Sequence, residues 1–146
     1  MLIKQHRIAL LFLLIGVFLN FSCDGNKLQT IPIDQFIGKW KISQRGMLDD
    51  IHIEIRANEQ GELSGKIISL NTNKYINLFM EENDELIVKV KRKSNYEFLI
   101  TERRIAAPLF ALYKQSTTEE YTVSFEDTNK FVIVDKGMKG TFTRTK

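Results

Sequence analysis

One cysteine, two prolines, two histidines and one tryptophan occur in 146 residues. A single cysteine excludes an internal disulfide and a cysteine-built metal site. The eight glycines are scattered among turns, and none forms a phosphate-cradling run. The longest apolar stretch, Ile8–Leu19, has 12 residues including Gly16, short of the roughly 17–25 needed to span a bilayer. The length suits one domain. A net charge of +3 would suit a nucleic-acid partner if it were spread over the fold. It is not. Lys4 and Arg7 are the only formal charges in residues 1–22, and without them 19 basic side chains face 18 acidic ones. No nucleic-acid partner is expected.

What is present begins with an address. Lys4, His6 and Arg7 precede the apolar run, and Asn20-Phe21-Ser22-Cys23 follows it. Basic start, apolar run and small polar exit are the layout of a secretory signal peptide, here residues 1–22. Ser22-Cys23 resembles the lipobox of bacterial lipoproteins, in which a small residue precedes a cysteine that receives diacylglycerol and an acylated amine. Asn20 stands where leucine is usual, with Leu19 one place back. The resemblance implies lipid attachment at Cys23 and a cell-envelope location, at the outer membrane rather than the inner. Several acyl chains would hold firmly, at roughly 0.8 kcal/mol per buried CH2. The competing reading is plain secretion with a leftover thiol. Residues 23–35 then read as the lipidated cysteine and a polar tether containing Gly25, Asn26 and Pro32.

From Phe36 to Lys146 the pattern has period two, interrupted by turn residues. Ile51, Ile53 and Ile55 alternate with His52, Glu54 and Arg56. Further runs lie at 39–43, 63–70, 74–80, 86–91, 96–101, 121–125, 131–134 and 141–144. Leu109–Lys114 reads as a strand or one helical turn. Asn58-Glu59-Gln60-Gly61, Asn71-Thr72-Asn73, Glu81–Asp84, Lys93-Ser94-Asn95 and Asp127-Thr128-Asn129 supply turns. Short strands at this spacing, without a long amphipathic helix, predict an all-β fold, a small antiparallel up-and-down β-barrel of eight to ten strands. The expected interior is Trp40, Ile42, Ile53, Leu63, Tyr75, Phe79, Val88, Phe98, Tyr113, Tyr121, Phe125, Phe131 and Phe142.

Phe36-Ile37-Gly38-Lys39-Trp40, opening such a meander, resembles the calycin superfamily of lipocalins, fatty-acid-binding proteins and avidins. The resemblance implies a lipocalin-like barrel over residues 36–146, with Trp40 on its floor. It also implies a basic residue of the last strand across the indole; Arg144 occupies that place and Gly38 allows the approach. The chain departs from the subgroups. Ser43 to Asp50 is too short for the helical pair of fatty-acid-binding proteins. One tryptophan does not suit biotin, and a lipocalin disulfide is impossible.

Chemistry is sparse. His52 should face solvent, and Asp49-Asp50-x-His is better read as a turn than a metal site. The acidic cluster at 81–85 lacks the ligand spacing of a calcium loop. Lys89, Lys91 and Lys93 share a strand face, which blunts edge aggregation or meets lipid headgroups. No nucleophile elbow or cofactor motif is recognisable, so no enzyme, cofactor or metal is expected. The expected function is non-catalytic binding of a small apolar or amphipathic ligand, with Tyr75, Phe79, Phe98, Tyr113, Tyr121 and Phe125 as candidate pocket residues. Tyr75, Tyr113 or Tyr121 is expected to pair with Arg144 or to meet the ligand head. The alternative is an envelope protein-interaction or inhibitor module with a solid core, using the segment from Arg103 to Pro108.

Overall fold

The computed structural model describes residues 30–146. The expected signal peptide at 1–22, Cys23 and most of the expected tether lie outside the described residues. A 3₁₀ turn (Ile33–Phe36) leads into eight strands: β1 (Gly38–Ser43), β2 (His52–Ala57), β3 (Leu63–Ser69), β4 (Glu85–Arg92), β5 (Glu97–Arg103), β6 (Thr118–Asp127), β7 (Lys130–Ile133) and β8 (Thr141–Arg144). Two short helices, α1 (Ile76–Phe79) and α2 (Ala107–Leu112), lie in the β3–β4 and β5–β6 connections. Each strand pairs antiparallel with the next, and β8 returns to β1 through Trp40–Arg144 and Ile42–Phe142. The fold is a closed up-and-down barrel, so no strand is left as an edge.

Alternation decides which side chains fill it. Trp40 and Ile42, Ile53 and Ile55, Leu63 and Ile67, Phe98 and Ile100, Tyr121 and Val123, and Phe131 and Ile133 are buried. β4 breaks phase. A register shift between Ile87 and Lys89 follows the adjacent burial of Leu86 and Ile87, and it turns Val88 outward, contrary to expectation.

Two segments differ from their sequence reading. Residues 74–80 form a turn and the short helix α1 (Ile76–Phe79) rather than a strand. Asn71 and Asn73 accept hydrogen bonds from the backbone N–H of Asn73 and Tyr75, and the Asn77 amide donates to the carbonyls of Asn71 and Asn73. These local bonds compete with sheet pairing and curl the chain. Residues 107–112 resolve as a helix, with Pro108 in the first turn, where its missing N–H costs nothing.

The connections sort by end. At one end they are short (58–62, 93–96 and 128–129); at the other they are long (44–51, 70–84, 104–117 and 134–140). The short end is the floor. Phe36 enters it from the 3₁₀ turn, with ring centroids 4.7–4.9 Å from Phe98, Phe125 and Phe131. Trp40 stands 4.8 Å from Phe131, and Phe131 stacks on Phe142 at 4.4 Å. The Arg144 guanidinium lies 4.3 Å from the Trp40 ring and donates to the carbonyls of Gln35 and Ile37 at 2.6 and 2.8 Å. The Trp40 indole donates to Phe36 O at 2.7 Å. Gly38 has φ +133, and a Cβ there would stand 2.5 Å from Arg144 Nη1, so glycine is what lets the arginine reach across.

Candidate functional site

The long end is the mouth. The β1–β2 connection places Arg45, Met47 and Leu48 there, with a left-handed Gln44 and Gly46 bracketing Arg45. β5 contributes Glu102, continuing the inward phase of Phe98 and Ile100. β6 contributes Glu119 and Tyr121, in phase with Val123 and Phe125. Tyr75 and Phe79 come from the α1 segment, Arg104, Ile105 and Ala106 from the approach to α2, Phe110 from α2 itself, and Met138 from the β7–β8 connection. Together they enclose an open cavity of about 660 Å3 with largely apolar walls. It lies at the mouth, because the aromatic cluster fills the barrel below it.

A polar network crosses this apolar chamber. Arg45 Nη2 donates to Glu102 Oε1 at 2.8 Å, with the two side chains only 9% and 7% exposed. The same guanidinium lies 4.5 Å from the Tyr121 ring. The Tyr121 hydroxyl donates to Glu119 Oε2, and Glu119 Oε1 pairs with Arg104 at 2.5 Å. Arg104 in turn covers the Phe110 ring at 4.6 Å. Burial is the main influence on Glu102 and outweighs the opposing charge of Arg45, so its pKa rises to about 7. Burial, with donation to Glu119, also raises that of Tyr121. Arg45 stays cationic: burial opposes its charge, but Glu102 and Tyr121 more than offset that.

The six candidate pocket residues divide between the two ends. Tyr75, Phe79 and Tyr121 line the cavity. Phe98 and Phe125 belong to the floor cluster instead, because the inward phase of β5 and β6 places them one or two pairs deeper. Tyr113 is 77% exposed at the end of α2, whose helical turn carries it away from the interior. Tyr75 is 54% exposed at the rim rather than buried. Arg144 meets no tyrosine: it is at the floor, and the arginine beside Tyr121 is Arg45. From the Arg103–Pro108 segment, Arg104 and Ile105 face the cavity.

Several of the other charged residues singled out in the sequence have local partners. Asp50 pairs with Lys41 at 2.7 Å. Asp84 accepts from the Glu81 N–H and lies 3.8 Å from Arg103. Lys89 contacts Glu62, and Lys93 donates to the Thr122 hydroxyl.

Compared with protein-family models, curated proteins and solved structures, the chain matches none of them.

Proposed function

We propose that the protein is a lipid-anchored, non-catalytic cell-envelope protein of lipocalin-like type that takes a small apolar or amphipathic ligand into the mouth of its barrel. The observation that carries this reading is the cavity of about 660 Å3, apolar-walled and crossed by a few fixed polar groups. Small-molecule sites share that volume range and composition. The Arg144–Trp40–Gly38 arrangement at the floor supports the calycin resemblance.

The tether adds an orientation. Ile31 is fixed at the floor, its N–H on Asn95 O and its carbonyl receiving Arg92. From Cys23 to Thr30 the chain reaches about 25 Å at most. An anchor at Cys23 would therefore keep the floor toward its membrane and the mouth toward the surrounding phase.

Native mass spectrometry of the protein purified from its own cells tests the ligand reading, the expected result being a co-purified lipid-sized adduct. Absence of any adduct, together with no uptake of added alkyl compounds, would overturn it. Replacing Cys23 by alanine tests the anchor. The variant should leave the membrane fraction, and a variant that stays membrane-bound as fully as the wild type refutes lipidation.

An interaction module is favoured by a different observation: Leu78 and Leu112, on α1 and α2 at the mouth, are 70% and 77% exposed. Serine at both positions should abolish capture of a protein partner if this reading holds, and leave ligand adducts intact if it does not.

A further inference from the structure

Among the described residues, three buried side-chain atoms have no hydrogen-bond partner: Arg45 Nε, Arg104 Nε and Glu102 Oε2. All three belong to residues that line the mouth cavity. Elsewhere in the described barrel, buried polar side-chain atoms are satisfied. Such atoms are rare in folded proteins and ask for a partner.

Their chemistry defines that partner. Two are N–H donors in need of acceptors. The third is an acceptor in need of a donor. The formal charges nearby cancel, because Arg45 and Arg104 are matched by Glu102 and Glu119. An anionic head would meet no free cation, since each arginine already holds a carboxylate. It would also stand beside Glu102. A cationic head would meet the two arginines. An uncharged head that both donates and accepts offends neither and carries a partner for each kind of unsatisfied atom; the Arg104 side chain, 30% exposed at the rim, would rotate to admit it. The apolar walls then take a hydrocarbon chain.

We propose that the mouth cavity is a binding site for neutral-headed amphiphiles, alkyl chains ending in an amide or a hydroxyl-bearing group, recognised by Arg45, Arg104 and Glu102. This rests on the ligand-binding reading and names the class of ligand.

The test offers the full chain, held in amphipol so that no detergent competes, an equimolar mixture of dodecanamide, dodecanol, methyl dodecanoate and dodecanoate. Adducts are read by native mass spectrometry. Near pH 8 Glu102, with its pKa of about 7, is ionised and can accept. Dodecanamide should then exceed dodecanoate by about tenfold, the worth of one well-made hydrogen bond. Methyl dodecanoate, which accepts but cannot donate, should fall between them.

Below pH 6 protonated Glu102 becomes a donor and leaves the site with a net positive charge. The groups facing it are Arg45 from the β1–β2 connection, Arg104 from the β5–β6 connection, and Glu119 and Tyr121 from β6. The dodecanoate adduct should grow there and the dodecanamide adduct should not. Glu102→Gln should produce the same gain for dodecanoate at every pH. Arg104→Gln, at the half-exposed rim, should suppress dodecanoate further. Dodecanoate binding as well as dodecanamide near pH 8 overturns the neutral-head assignment while leaving ligand binding in place. No adduct with any of the four overturns both.

Discussion

The two ends of this barrel obey opposite rules. At the floor, aromatic rings pack edge to face, tilted or stacked, and the polar groups among them are consumed. Arg144 donates to the carbonyls of Gln35 and Ile37, and Trp40 donates to Phe36. At the mouth, two arginine–glutamate pairs sit among apolar side chains, and three of their atoms are unsatisfied. Each such atom costs roughly 1–3 kcal/mol. The difference teaches that polar satisfaction is complete at one end of the barrel and incomplete at the other. The floor closes the barrel with short connections and satisfied contacts. The mouth keeps long connections, an open chamber and unspent hydrogen-bonding capacity.

The largest effect that would break this division is Phe36→Ala. The ring is fully buried among three others, so the cavity left behind should cost about 3–5 kcal/mol in urea denaturation. The folded fraction should still take up ligand at the mouth. A ligand loss larger than the loss of folded protein would mean the two ends are coupled. Next comes Arg45→Met, which strips the partner from a buried carboxylate. Near pH 8 the cost should be about 3 kcal/mol. It should shrink as acid neutralises Glu102, a reversal that no floor substitution shows.

The wild type should carry a signature of its own from the same carboxylate. Glu102 titrates near 4.5 when unfolded and at about 7 when folded. The folded chain therefore holds this proton over a range where the unfolded chain has lost it. That contribution is fully present below pH 4.5 and disappears as pH rises through 7. Its size is roughly 3–4 kcal/mol, for a rise from 4.5 to about 7 at roughly 1.4 kcal/mol per unit. Comparing wild type with Glu102→Gln in urea at several pH values isolates it. The difference between the two should change across that window and be flat above it. A flat difference throughout would place Glu102 in a wetter setting than its burial implies.

Much of the barrel wall and floor was readable from residue order. Ile51, Ile53 and Ile55 alternate with polar residues and are buried as that pattern requires. Gly38, Trp40 and Arg144 were marked by resemblance, and the contact among them follows from strand closure. The mouth was half readable. Glu102 shares the inward phase of Phe98 and Ile100, and Glu119 that of Tyr121 and Val123. A charge on an apolar face is the available signal for both. Arg45 had no such signal, because it lies in a connection whose path depends on left-handed residues at 44 and 46. Tyr75 and Tyr113 misled for a related reason: both flank short helices set by local hydrogen bonds, where period-two reasoning does not apply.

The smallest effect concerns those helices. Leu112 and Tyr113 are each 77% exposed on the rim, and they bury almost nothing. Large apolar side chains so placed contribute little to folding, since the stabilising quantity is area removed from water. Replacing both by serine should change unfolding free energy by less than about 0.5 kcal/mol, as for most exposed positions. Phe110, one turn earlier, faces the cavity under Arg104 and should respond differently. Its replacement by alanine should weaken dodecanamide uptake severalfold, while the serine pair leaves uptake unchanged. Equal responses at 110 and at 112–113 would move ligand contact from the cavity to the outer rim.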